Sequence, residues 1–190
     1  VAAEAALLER LAPLRAAGFE VVVARTHGNL HLGQVLLSGG DATFVDLADD
    51  TSVSGQPRLR PPVRDVASLL ISLEHATDHT LREQVDRGVV EPDSPAHRAL
   101  AAWLAAWSRW AGAMVVRGWA SEGATSPGAD RPDHLAALLD AFVIERASHE
   151  LTDALAGRPG WVDVPLHTLE RLAGRPAPRP AGRRRSADRR

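Results

Sequence analysis

The sequence contains no cysteine and no lysine, and all 22 residues of its Lys+Arg total are arginine. Without cysteine, the chain has no thiol nucleophile, no iron–sulfur cluster and no thiolate zinc site. It also lacks an apolar run of about 20 residues, the length that spans a bilayer as a helix, and a basic-then-apolar leader at its start. These absences lead us to expect a cytoplasmic protein with no membrane partner.

The rest of the composition is typical of a globular protein, with 45% apolar and 24% charged residues in a chain of 190 and a net charge of −2. The charge is unevenly distributed, because residues 175–190 hold seven arginines and one aspartate. Arginine and proline without interleaved aromatic side chains favour a solvated tail over a nucleic-acid-binding segment. We therefore predict one domain over residues 1–174, a disordered tail over 175–190 and no nucleic-acid partner.

Hydrophobic spacing predicts a helix over residues 2–17 and a short β-run over 19–24. Two further β-runs, 35–37 and 43–45, flank the turn-forming sequence Ser-Gly-Gly-Asp and predict a hairpin. The polar, proline-containing residues 49–62 are predicted to form a surface loop.

Helices are then predicted over residues 63–79, from Pro95 to about Gly118 and over 133–156, with a short closing segment over 165–172. The second of these helices carries a heavy apolar stripe, which we expect to lie in the core. The stripe consists of Leu100, Trp103, Leu104, Trp107, Trp110 and Met114. The predicted fold class is α+β, mostly helical, with a small β-hairpin.

The most informative segment is residues 27–34, His-Gly-Asn-Leu-His-Leu-Gly-Gln, followed after the predicted hairpin by Asp46. His27 and His31 have the four-residue spacing of a helical zinc pair, but the two glycines and the flanking β-runs disfavour a helix here. The other structural interpretation is a turn whose histidine rings bond only to the backbone.

The order of this loop, the hairpin, Asp46 and a helix opening Pro-Val-Arg-Asp-Val-Ala at 62–67 resembles the catalytic half of the aminoglycoside-phosphotransferase-like kinases, a protein-kinase-like group. Within that group the chain is most similar to maltokinase and related sugar kinases, whose loop reads HGD(Y/L)HLGQ and whose helix opens PLRDVA. Residues 138–172, with Arg-Pro-Gly-Trp at 158–161, are similar to the C-terminal end of maltokinases. The resemblance covers most of the chain except the arginine tail and implies the C-terminal lobe of that fold.

The resemblance implies phosphoryl transfer from ATP to a sugar hydroxyl, a reaction in which the protein positions the metal and the nucleophile. It implies that Gln34 and Asp46 bind Mg²⁺ and through it ATP, since both offer hard oxygen ligands. The catalytic loop, residues 25–34, would contribute Asn29, His27 and His31. The residues outside the loop are Arg64 and Asp65, which would support it, and Glu145, a candidate sugar contact.

Three features depart from the family pattern. Asn29 stands where the family has its catalytic aspartate, and an amide can orient a hydroxyl but cannot accept its proton near neutral pH. The metal loop, residues 46–50, reads Asp-Leu-Ala-Asp-Asp in place of Asp-Phe-Glu-Gly. The family's nucleotide-binding lobe and its lysine are also missing, so we expect that lobe in another segment or a partner chain. The competing hypothesis is a pseudokinase module that binds a sugar, a nucleotide or a partner protein without transferring phosphate.

Overall fold

The computed structural model describes residues 2–15, 21–47, 59–121 and 132–174, which are mostly helical. The helices are α1 (Ala2–Arg15), α2 (Val63–Asp86), α3 (Pro95–Ser121), α4 (Pro132–Gly157) and α5 (Asp163–Ala173). The strands are β1 (Ala24–Arg25), β2 (Val35–Ser38), β3 (Asp41–Phe44) and β4 (Leu59–Arg60). Short 3₁₀ turns cover Leu32–Gln34 and Pro159–Trp161. The predicted α+β, mostly helical class with a small hairpin is confirmed.

Helix α2 lies at the centre of the helical packing. Its apolar residues recur every three or four positions, so they share faces that pack against α3 and α4. Helix α1 packs on the far side, against α4 and α5. The buried core between α2, α4 and α5 consists of Ala67, Ile71, Val143, Ala147 and Leu172. The first turn of α2 is thereby held at a fixed position next to α4.

The hairpin is formed by β2 and β3, paired antiparallel from Val35 opposite Phe44 to Ser38 opposite Asp41. Gly39 and Gly40 both have positive φ, 60° and 95°, which a two-residue turn that matches strand twist requires. The sequence prediction of this hairpin and its turn is confirmed.

The other strand pair was only partly predicted. β1 covers Ala24–Arg25 and pairs with Leu59–Arg60 of β4, inside the segment predicted to be a loop. Of the predicted β-run over 19–24, the described residues 21–23 are not in a strand. Residues 48–50 of the predicted metal loop and the predicted tail at 175–190 lie outside the described residues.

The prediction that the α3 tryptophans lie in the core is wrong. Trp103 and Trp110 are 61% and 63% exposed, and Trp107 is also exposed. Helix α3 packs on α2 through the smaller side chains of Leu104, Ser108 and Gly112 instead. A Cβ at Gly112 would come within 2.9 Å of Leu70 Cδ2, so the small residue permits the close approach of the two helices.

Helix α3 is also notable for its apolar composition. Among the described residues, it alone is long and apolar enough to cross a membrane, with a mean hydropathy of 1.2 over its most apolar window. Only 11% of that window is buried in the fold. The apolar character of α3 is therefore mostly on its surface.

Candidate active site

The loop between β1 and β2 is anchored to α2 by backbone hydrogen bonds. The carboxylate of Asp65, in the first turn of α2, accepts hydrogen bonds from the amides of His27 (2.6 Å) and Gly28 (3.1 Å). Gly28 has a φ of 86°, the left-handed region that favours glycine. Further along, the Leu32 amide donates to Ser72 Oγ at 2.9 Å. These contacts fix residues 27–32 against the N-terminal half of α2.

The two histidines of the loop point to different surroundings. His27 is buried, and its Nε2 donates to the carbonyl of Val45 at 2.8 Å, which ties the loop to the residue after β3. His31 is half-buried and lines a cleft next to Asn29. The described residues contain no group of three or more His, Asp or Glu side chains able to hold a metal. The helical zinc-pair interpretation therefore has no support from this geometry.

Gln34 and Asp46 lie side by side at the other end of the loop. Gln34 is only 5% exposed, and its Nε2 donates to Asp46 Oδ2 at 3.2 Å. The Val45 amide donates to the Gln34 carbonyl at 3.0 Å, and Asp46 has a φ of 58°, which turns the chain directly after the hairpin. The two side chains are close enough to share one ion.

The chemistry of this pair fits a divalent cation. Gln34 Oε1 is buried and accepts no hydrogen bond from the described residues, so one hard oxygen at the site has no partner. Mg²⁺ is commonly held by one or two protein oxygens, with water and phosphate completing its octahedron. A cation bound between Gln34 and Asp46 would replace their mutual hydrogen bond and use that oxygen.

A cleft of about 640 Å³ opens between the loop, α2, α4 and the 3₁₀ turn at Pro159–Trp161. Its size is in the range of small-molecule sites. Most of its lining residues are polar or charged, although apolar atoms also contribute to its surface. The lining residues from the loop and α2 include Asn29, His31, Arg64, Ser68, Ser72 and His75. Those from α4 and the turn include Glu145, Arg146, Glu150, Asp153 and Trp161.

Glu150 holds the polar side of this cleft together. Its Oε1 accepts from Arg146 Nε at 2.6 Å and its Oε2 from His75 Nε2 at 2.7 Å. Burial raises the pKa of the Glu150 carboxyl, but the hydrogen bonds from His75 and Arg146 outweigh it and hold that pKa below its ordinary value. The His75 ring also lies 5.8 Å from the Trp161 ring, at 49° to it. Glu150, which lies on α4, therefore joins His75 of α2 and Arg146 of α4 along one wall of the cleft.

Asn29 is connected to the same group of side chains. Its Oδ1 accepts a hydrogen bond from Arg146 NH1 at 3.4 Å, while Arg146 Nε is bonded to Glu150. Arg64 Nε lies 3.6 Å from Glu145 Oε2, and both residues are partly exposed. The structure thus brings Asn29, His31, Arg64 and Glu145 to one cleft, while Gln34 and Asp46 form a separate pair beyond it.

Sequence reasoning did not assign His75, Arg146 or Asp153 to the site. The available signal was on α4, where five polar residues follow each other at spacings of one, three, one and three residues. They are Glu145, Arg146, His149, Glu150 and Asp153. A polar face of this kind on a helix whose other face is apolar is also typical of an exposed surface. Only the position of α4 next to the loop distinguishes a face that lines a site from an ordinary exposed surface.

The loop anchor at Asp65 gives a first testable prediction. Asp65→Asn is expected to lower the free energy of unfolding by about 1.5 kcal/mol, because the amide keeps one acceptor oxygen but faces the second N–H with a donor. Denaturant unfolding measures this, and hydrogen exchange should accelerate at the His27 and Gly28 amides. The control is Asp78→Asn, which removes a partly exposed pair with Arg82 and should cost less than about 0.5 kcal/mol. Equal losses for the two variants would contradict the anchoring role.

No protein-family model matches the sequence. Solved structures do match. A glucosamine kinase (crystal form B) is 26% identical, with a TM-score of 0.56 over 87% of this chain and 37% of that one. A glucosamine kinase in complex with glucosamine, ADP and inorganic phosphate is 23% identical, with a TM-score of 0.53 over 90% of this chain and 43% of that one. This chain has a sugar-kinase-like fold.

The chain spans less than half the length of either glucosamine kinase. These matches confirm the resemblance to sugar kinases at the level of the fold. The similarity to maltokinase in particular, and the assignment of residues 1–174 to a C-terminal lobe, stay predictions.

Proposed function

We propose that this chain is the helical, acceptor-binding lobe of a magnesium- and ATP-dependent sugar kinase, and that the sugar binds in the Asn29 cleft. The observation that carries the proposal is the arrangement of one anchored loop with two ends. The first part of the loop presents Asn29 and His31 to the cleft. The last residue of the loop, Gln34, lies next to Asp46, and the side-chain oxygens of these two residues form a pair. A phosphoryl-transfer site needs these two functions, an acceptor pocket and a metal site, at a fixed separation.

Each loop residue then has a defined task. Gln34 and Asp46 would hold Mg²⁺, which when bound neutralises charge on the phosphates. Asn29 would orient the acceptor hydroxyl through its amide. His27, fixed by Val45, and Asp65, fixed by two backbone amides, would keep the loop in place. Phosphoryl transfer depends mostly on such positioning, so the anchors matter as much as the groups that touch substrate.

The cleft suits a carbohydrate. Trp161 is 58% exposed and lines the cleft, so its ring can lie against the apolar face of a sugar. Glu145 and Asp153 provide carboxylates for hydroxyl or amino groups, and Arg64 and Arg146 provide donors. The glucosamine complex of the matched kinase makes an amino sugar the first acceptor to test. Maltose is the second, on the sequence resemblance.

The nucleotide lobe is proposed to contact the hairpin. Leu36, Leu37, Phe44 and Leu47 are all exposed on the hairpin and the residues that follow it, next to the Gln34–Asp46 pair. A second lobe seated there would cover this apolar surface and enclose ATP against the metal pair. We place the reaction in the cytoplasm, where ATP is available.

The alternative function is a pseudokinase module that binds ligand without transfer. It is favoured by one observation, the amide at Asn29 in place of a carboxylate. Asn29 accepts a hydrogen bond from Arg146, so its side chain links the loop to α4 whether or not phosphate is transferred. Sugar binding is expected under both hypotheses, and the rate of transfer separates them.

Sugar binding can be tested on this chain. We expect saturable binding of glucosamine by titration calorimetry, and Trp161→Ala should weaken it roughly tenfold, since loss of the ring contact is worth about 1 to 1.5 kcal/mol. Trp103→Ala is the matched control, because Trp103 is similarly exposed but lies on α3 outside the cleft. Maltose and glucose are titrated in parallel. Absence of binding for every sugar, or equal effects of the two variants, would contradict the assignment of the cleft.

A further inference from the structure

Helix α3 carries a straight row of large apolar side chains on its outer surface. We call Trp103, Trp107, Trp110 and Met114 the tryptophan seam. Their spacing of four, three and four residues repeats the 3.5-residue period of a coiled-coil contact line. All four side chains are exposed to solvent, from 37% for Trp107 to 63% for Trp110.

The seam is not needed for the fold described above. Helix α3 packs on α2 through a different face, on which Leu104, Ser108 and Gly112 are buried. None of the seam residues lines the Asn29 cleft. Trp103 and Trp110 are therefore mostly outside the helical core, and none of the three tryptophans lines the proposed sugar site.

The exposed area is appropriate for the centre of a protein interface. At roughly 250 Å² for a whole tryptophan, the three rings leave roughly 400 Å² uncovered. A stable interface buries about 800 Å² on each partner, so the seam would supply about half of it. Tryptophan is also the residue most enriched among those that dominate binding energy.

The charges of α3 restrict how a second copy could bind. The helix contains Arg98, Arg109 and Arg117 but no aspartate or glutamate. At about 3.6 residues per turn, Arg117 lies beside the seam and the other two arginines lie on the opposite side of the helix. A parallel pair joined along the seam would place Arg117 next to its own copy, which is unfavourable. An antiparallel pair centred between Trp107 and Trp110 places Arg117 opposite Leu100 instead.

The same register matches the seam residues with each other. In it Trp107 faces Trp110 and Trp103 faces Met114, so the pairs are ring against ring and ring against thioether, both favourable contacts. We propose that this chain forms a two-fold symmetric dimer through antiparallel packing of α3 against α3 of a second copy. Each seam contact then occurs twice, as a closed dimer requires.

The first experiment measures the mass of the 190-residue chain by sedimentation. We expect a dimer of about twice 20.3 kDa at micromolar concentrations. Trp110→Glu should raise the dimer dissociation constant at least about 30-fold, because it buries a charge at the centre of the contact. Leu37→Glu on the hairpin is the control and should leave the dimer intact, since Leu37 belongs to the surface proposed for the nucleotide lobe. Circular dichroism should be unchanged for both variants because both residues are exposed.

The second experiment uses the absence of cysteine to determine the helix orientation. Ala96 and Ser121 continue the seam at its two ends and lie about 37 Å apart along the helix. In the antiparallel dimer, Ala96→Cys and Ser121→Cys chains form a disulfide when mixed, and neither variant links to itself. Self-linking of the single variants would show a parallel pair and overturn the proposal.

Other outcomes also overturn it. A monomer at 100 micromolar, or a dimer lost in Leu37→Glu but kept in Trp110→Glu, would rule out the seam as the dimer contact. A monomer that binds anionic lipid vesicles through Trp110 would assign the seam to a membrane surface instead. None of these results bears on sugar binding, so the proposal fails or stands independently of the proposed function.

Discussion

Replacing Asn29 by aspartate is expected to raise the rate of phosphoryl transfer to the sugar by about 10²- to 10⁴-fold, the usual contribution of a positioned general base. Asn29 lines the cleft and its amide has no basic lone pair near neutral pH. A carboxylate at the same place could accept the hydroxyl proton as the oxygen attacks the phosphoryl group. The gain should be in kcat, because the hydrogen bond that orients the hydroxyl is present with either side chain.

The assay requires a nucleotide lobe. We would join this chain to the part of a matched glucosamine kinase that it does not cover, and measure sugar-dependent ADP release with Mg²⁺. Asn29→Ala is the control and should transfer no faster than the unmodified chain. Calorimetric sugar binding by all three proteins shows that folded proteins are compared. If Asn29→Asp binds sugar but transfers no faster than Asn29, the loop is not catalytic and the pseudokinase hypothesis is favoured.

Arg146 gives this experiment a second readout. Its NH1 group lies 3.4 Å from the Asn29 oxygen, and a neighbouring guanidinium favours the charged form of a carboxylate. The introduced carboxyl group should therefore stay ionised down to acidic pH, and the rate gain of Asn29→Asp should persist until the pH falls below about 4. A gain that appears only in alkaline solution would point to a different base.

The parts of the fold that depend on local chemistry were predictable from the sequence. Two adjacent glycines between β-runs are sufficient for the hairpin turn, and regular apolar spacing is sufficient for α2 and α4. Strand β4 was not predictable, because its two residues are a strand only through pairing with β1, some 35 positions earlier in the chain.

Helix α3 shows the limit of hydrophobic periodicity. It carries two stripes, one of tryptophans and one of smaller residues, and the heavier stripe was predicted to be buried. In the structure the lighter stripe is buried, since Gly112 lets α3 approach Leu70 of α2 closely. Periodicity identifies candidate faces, but the fit between two particular helices decides which face is covered.

The candidate site divides in a similar way. The loop with Asn29 and Gln34, and Asp46 directly after the hairpin, are local features, and the sequence was sufficient to propose them as candidates. The cleft around it depends on His75 from α2 meeting Glu150 from α4, residues 75 positions apart. That contact follows from the packing of Ala67 and Ile71 against Val143 and Ala147 in the core, which no short motif records.

Glu150→Gln is expected to lower the free energy of unfolding at pH 7 by about 2 to 3 kcal/mol. The carboxylate is half of two charge-assisted hydrogen bonds, to Arg146 and His75, and such bonds contribute about 1.5 to 3 kcal/mol each before allowance for partial exposure. Glutamine preserves the size of the side chain and one acceptor oxygen but carries no charge. Sugar affinity should fall as well, because Arg146 and His75 lose the partner that orients them in the cleft.

The pH dependence of this loss has a definite sign. The pKa of Glu150 is lowered in the folded chain, so its stabilisation is complete above the unfolded value near 4.5 and is lost as the pH falls through the folded value. The stability difference between the unmodified chain and Glu150→Gln should therefore be constant from pH 7 to about 5 and shrink below that. Glu83→Gln is the matched control, since Glu83 forms an exposed pair with Arg87 on one helix and should cost less than about 0.5 kcal/mol. A difference between the unmodified chain and Glu150→Gln that grows towards acid pH would contradict the structural assignment, because protonation can only remove what the carboxylate contributes.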